Sequence, residues 1–215
     1  MKNIKRYKIT IFIAIIALLA CAISGGVFVM NRRRPAKGIE IFPKADWACV
    51  EPVFYRQNDE TWRSARMGAA PDTMGGSGCL VTCLAASMEM QKKTADVGYR
   101  MTPGELNEEL VDHQVYDERA NVLWNPLREY LKGWTVETPS KPDGDEIEEM
   151  LRAGYFPIVK VRMPRSGANH WVMLMGAENG EYYCMDPLHG EDEMVSLSEF
   201  GNMVYAVRSV EFEGE

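Results

Sequence analysis

Histidine is scarce in this 215-residue chain, with three copies, and its five cysteines include no Cys-x-x-Cys pair. That spacing excludes a zinc ribbon, and no cluster of metal-ligating residues stands in the sequence, so neither a metal nor another cofactor is expected. A basic surplus is lacking too: 24 Lys and Arg face 31 Asp and Glu, for a formal net charge of −7. Surfaces that track phosphates need clustered cations, so a nucleic-acid partner is excluded. Internal repeats and low-complexity tracts are missing, which leaves one globular domain of ordinary size.

One long apolar run is present. Residues 9–30, ITIFIAIIALLACAISGGVFVM, carry no charged side chain. About 20 helical residues at ~1.5 Å each cross a bilayer core, so the run reads as a single transmembrane anchor behind a short basic tail at 1–8. A cleaved signal peptide has a shorter apolar stretch of about 7–15 residues. Leu18-Leu-Ala-Cys21 loosely resembles a lipoprotein box, but a lipidated cysteine is normally followed by a polar tether, whereas here the apolar run continues to Met30. Lys2, Lys5, Arg6 and Lys8 precede the run and Arg32, Arg33, Arg34 and Lys37 follow it, so flanking charge does not choose an orientation. A short N-terminal tail commonly stays inside, which puts the domain on the outer side of the cell membrane. Residues 31–46, with a basic triplet and two prolines, read as a linker, and residues 47–215 as the domain.

Within the domain, residues 53–57 read as a short extended lead-in strand, and Asp59–Gly78 as a glycine-broken loop. Four helices are expected: Cys79–Lys92; one beginning at the capping box Thr102-Pro-Gly-Glu105 and running to about Asp112; Val122–Leu131 despite Pro126; and Asp143–Ala153, ended by Gly154. Four β-branched or aromatic runs follow, at 156–163, 170–175, 181–185 and 204–210. Helices first and strands second give an α+β fold, a helical lobe packed on a mostly antiparallel sheet.

The chemistry centres on GGSGCLVTCLAASMEM, residues 75–90. A thiol is a poor nucleophile until ionised, and the first turn of a helix offers unsatisfied N–H groups and the positive end of the macrodipole. Cys79 stands there; Cys83, a full turn further, reads as a packing residue. Of the histidines, His113 ends an acidic helix and His189 sits in the turn DPLHG, whereas His170 opens the apolar strand NHWVMLMG. An imidazole base needs a group that fixes its tautomer. Asp186 ends the next strand and can serve, although an Asp-Pro pair also simply starts turns.

Whether His170 and Asp186 meet is a question of register. Direct opposition centres the hairpin loop on Glu178. A two-residue Asn179-Gly180 turn instead pairs His170 with His189 and turns Asp186 to the other face. The meeting therefore requires an odd-numbered loop or a bulge.

The segments FYRQNDETW (54–62), GSGCLVT (76–82), NHWVMLMG (169–176) and YYCMDP (182–187) occur in the order expected of bacterial papain-like cysteine peptidases related to the double-glycine leader peptidases of bacteriocin export, and the domain resembles that family from Val53 to about Val210. The resemblance implies a papain-like fold, Cys79 as nucleophile, His170 as general base and then acid, and Asp186 as its orienter. It also implies a glutamine, matched by Gln57, that donates with the Cys79 N–H to the oxyanion. Asp59 and Trp62 match the same motif as a turn-capping carboxylate and a core anchor. Leu80-Val81-Thr82 depart from it, since relatives often carry a small residue after the nucleophile. The function expected is a membrane-anchored thiol hydrolase acting on a peptide or protein substrate. An inactive papain-like domain serving as a tethered binding module, and a Cys-dependent acyltransferase, stay open as alternatives.

Overall fold

A computed structural model describes residues 37–49, 51–94 and 100–213. In chain order the elements are β1 (Ile39–Glu40), α1 (Met74–Ser77), α2 (Cys79–Thr94), α3 (Pro103–Asp112), α4 (Trp124–Tyr130), β2 (Trp134–Glu137), α5 (Gly144–Arg152), β3 (Ile158–Arg162), β4 (Asn169–Glu178), β5 (Glu181–Met185), β6 (Val195–Ser196), a 3-10 turn (Leu197–Phe200), β7 (Met203–Val204) and β8 (Ala206–Phe212). Six strands form an antiparallel sheet in the order β2-β8-β3-β4-β5-β6, and β1 pairs with β7 in a two-stranded ribbon. Among the described residues no helix is long and apolar enough to cross a membrane. The expected anchor at 9–30 lies outside the described residues.

Local chemistry accounts for the helix boundaries. Thr102 and Glu105 form a reciprocal capping box with Pro103 in the first turn, and α3 runs to Asp112 as its sequence predicts. Asp143 caps α5 by accepting from the N–H groups of Asp145 and Glu146. α4 is shorter than expected and starts at Trp124, which leaves Pro126 in the first turn, where its missing N–H costs nothing. Residues 74–77, expected as loop, make a helical turn leading into α2.

Alternation along the strands feeds two apolar layers. Ile158, Met173, Met175, Met185 and Val210 pack with α2 and α3, whereas Val159, Val161, Val172, Leu174, Ala177, Tyr182 and Cys184 pack with Ile147 and Leu151 of α5. Residues 81–91 of α2 are all buried, as suits a helix covered on every side. Gln91 ties it to β8: its Nε2 donates to Val210 O at 2.6 Å, and its Oε1 accepts from Phe212 N at 2.9 Å.

Two expectations need correction. The stretch expected as linker is packed from residue 38 onward: Ile39 pairs with Val204, Ile41 is buried in the second layer, and Lys44 N donates to the buried Glu148 of α5 at 2.8 Å. Residues 53–56, expected as a lead-in strand, join no sheet, and Gln57 begins a turn. Two hydrogen bonds hold them beside the end of β5, from Tyr55 N to Met185 Sδ at 3.4 Å and from Gln57 N to Pro187 O at 3.0 Å.

The hairpin of β4 and β5 decides what the site can be. Asn179 and Gly180 both take positive φ, as a two-residue mirror-image turn requires, and Glu178↔Glu181, Ala177↔Tyr182 and Gly176↔Tyr183 pair accordingly. The register then shifts by one, to Leu174↔Cys184 and Met173↔Met185, so Met175 is the extra residue of a β-bulge. The two layers confirm it: Val172, Leu174 and Ala177 share a face only if one residue between 174 and 177 is left out of the count. Gly176 lies beside this bulge, where a Cβ would come within 2.8 Å of Trp47 O, because Trp47 pairs with Ala177 across the edge of β4 that β3 leaves open.

Candidate active site

The bulge restores the parity that the tight turn alone would lose. Carried past Met173↔Met185, the shifted register puts His170 and Asp186 on one face as diagonal neighbours, two residues from direct opposition, within reach of long side chains. His170 Nε2 lies 2.6 Å from Asp186 Oδ1. The same carboxylate oxygen accepts from Leu188 N at 2.8 Å. The Asp-Pro turn thus holds the carboxylate that contacts the ring.

Cys79 opens α2 immediately after Gly78. A Cβ at position 78 would meet Met74 O at 2.5 Å and Met74 Cα at 2.9 Å, so only glycine lets the chain turn here. The Cys79 side chain is half-buried and interacts with the His170 ring closely enough to shift its titration. Since Nε2 faces Asp186, Nδ1 is the ring nitrogen left for the sulfur. Burial opposes charge on the His170 ring, but the interactions with Asp186 and Cys79 and the charge they carry outweigh it and push its pKa up to about 9. Cys83 is fully buried, its Sγ lies 3.6 Å from Trp171 O, and desolvation pushes its thiol well above the ordinary range.

Gln57 is 3% exposed. Its Nε2 donates to Gly75 O at 2.9 Å, in the helical turn α1 just before Cys79, and its Oε1 has no hydrogen-bond partner among the described residues. One Nε2 hydrogen remains for another acceptor. Asp59 caps its own turn by accepting from Thr61 N at 2.9 Å, and Trp62 is buried with its indole N–H donating to Arg56 O at 2.9 Å. The other histidines lie elsewhere: His113 pairs with Glu109 at 3.7 Å and His189 with Glu193 at 3.0 Å.

Cys79, His170 and Gln57 line one cavity of about 610 Å³. His170 lines it although only 3% of the residue is exposed. Among solved structures, the fold is similar to that of a candidate C39-like peptidase from Bacillus anthracis. The match has a TM-score of 0.47 and 15% identity, and it covers 77% of this chain and 98% of that chain. No family model matches the sequence, and no curated protein does.

The cavity also contains residues that sequence reasoning missed. Trp124, Lys160, Trp171 and Arg208 form part of its wall. The available signal was weak: a lysine in IVKVR and an arginine in AVRSV interrupt otherwise apolar strands, which by itself reads as a solvent-facing position. Register, not composition, puts them here.

Proposed function

We propose that the chain is a papain-like cysteine peptidase, tethered at a membrane surface by residues 9–30, with its domain on the outer side. The observation that carries this reading is the run of contacts from Cys79 through His170 to Asp186 at the wall of an open cavity. A thiol, an imidazole and a carboxylate in series can ionise the sulfur while the carboxylate balances the imidazolium charge. In the proposed reaction the Cys79 thiolate attacks the substrate carbonyl carbon, and the His170 ring carries the thiol proton. The tetrahedral intermediate collapses as His170 protonates the departing amine, leaving a thioester on Cys79. Water then gives up a proton to His170, attacks the thioester and releases the carboxylic acid.

Gln57 is proposed to donate its remaining Nε2 hydrogen to the oxyanion. Gln57→Ala is then expected to lower kcat by roughly 10²-fold with little change in KM, measured by steady-state kinetics on a fluorogenic peptide. A change confined to KM would remove Gln57 from that role. The nucleophile is tested by alkylating the native protein with a peptidyl chloromethyl ketone at neutral pH and mapping the adduct by mass spectrometry. Modification should fall on Cys79, not on Cys49, Cys83 or Cys184, and should fade in His170→Ala. Labelling that is undiminished in Cys79→Ser would end the assignment and favour the tethered binding module.

A further inference from the structure

We infer that Lys160 and Arg208 form a carboxylate-binding corner beside Cys79, which selects peptides bearing an acidic group next to the bond to be cut; this rests on the peptidase reading above. The pairing builds the corner. Lys160 stands opposite Trp171, and Arg208 stands opposite Ile158, so the two cations are diagonal cross-strand neighbours. They share the sheet face of Ile158, Met173 and Val210, the face that α2 covers. Aromatic rings hold both: Lys160 Nζ lies 5.0 Å over the Trp171 ring, and the Arg208 guanidinium lies 4.8 Å over Trp124 and 5.6 Å from Trp171.

Neither cation forms an ion pair with a carboxylate of the described residues. Arg208 uses one N–H on Val207 O at 2.6 Å, while its buried Nε has no hydrogen-bond partner there. Burial and the neighbouring Arg208 both push the Lys160 pKa down, and burial and Arg128 do the same to Arg208. Two adjacent like charges, half out of water and paired with no carboxylate of the described residues in a chain of net charge −7, raise the energy of the empty cavity, with the Cys79 sulfur the one group that favours charge on Lys160. An arriving anion relieves that cost. Both residues line the cavity shared by Cys79 and His170, and Lys160 is near enough to the Cys79 sulfur for their charges to couple. A ligand carboxylate held here therefore lies close to the reacting carbonyl.

That carboxylate has two sources, an acidic side chain or the free C-terminus of a short peptide. The test separates them with N-acetylated pentapeptides of alanine carrying one Glu, moved position by position, each against its Gln counterpart and each with a free or an amidated C-terminus. Binding to full-length Cys79→Ala is read from tryptophan fluorescence, and kcat/KM is read on the full-length native protein. The corner predicts binding about tenfold tighter for one Glu position, or for the free C-terminus, than for its neutral counterpart. It also predicts loss of that preference in Arg208→Gln and a turn toward Lys-bearing peptides in Lys160→Glu. Acidic peptides that bind to Cys79→Ala but are not cut by the native protein would leave the corner standing and sink the peptidase reading. Peptides cut equally well with Glu and Gln, or a Lys160→Gln variant slowed equally on both, would overturn the corner and leave the peptidase standing.

Discussion

Cys79→Ala is expected to reduce kcat/KM on a peptide substrate by on the order of 10⁴-fold or more, because it removes the proposed nucleophile and with it the proposed acyl-enzyme route. Cys83→Ala is the matched control. It removes a thiol one turn along the same helix that is fully buried, held against Trp171 O and kept in its neutral form by desolvation. Its rate should stay close to that of the native protein. The comparison distinguishes a working thiol from a loss of packing in α2, since both variants shorten a side chain of the same helix. Equal losses in the two would mean that the helix, and not the sulfur at position 79, was being measured.

The second large effect concerns pH. His170 is pushed up to about 9 against an ordinary histidine value of 6.5, with burial opposing the shift and the interactions with Asp186 and Cys79 producing it. The imidazolium therefore persists through neutral pH, and the alkaline limb of the kcat/KM profile should fall near pH 9 as the coupled pair loses its proton. Asp186→Asn removes the first of the favourable contributions but leaves the burial. The limb should then move down by roughly one pH unit or more, with a rate loss of about 10²- to 10⁴-fold. Stability follows the same sign. A folded-state pKa raised above the unfolded value contributes stability that is complete below about pH 6.5 and is lost as the pH rises through 9. Thermal melts of the native protein should fall across that window, and those of Asp186→Asn should fall less. A limb that stays in place in Asp186→Asn would show that the carboxylate does not govern the ring.

Much of the fold was legible because its determinants are local. The capping box of α3 needs residues three positions apart, and Asp143 caps α5 by bonding two and three positions ahead. β4 and β5 announce themselves by apolar runs on either side of Asn179-Gly180. The short partners were not legible: β2, β6 and β7 have four residues or fewer, and β1 falls in a stretch whose basic residues and prolines resemble a linker. Such segments owe their conformation to an edge that the rest of the chain supplies.

The candidate site divides along the same line. Sequence alone determined the cast: a cysteine following a glycine-rich run at the start of a helix, a histidine heading an apolar strand, a carboxylate beginning an Asp-Pro turn and a glutamine upstream. Only the tertiary structure decided that they meet. The tight turn by itself directs Asp186 away from His170. The bulge at Met175, needed so that Val172, Leu174 and Ala177 reach one apolar layer and Met173 and Met175 the other, turns it back. The pairing of β3 with β4 and β8 likewise brings Lys160 and Arg208 together under α2. The physical reason is one of range: capping and turn energies are set by neighbours along the chain, whereas strand register is set by burying both faces of a sheet against segments that are remote in sequence.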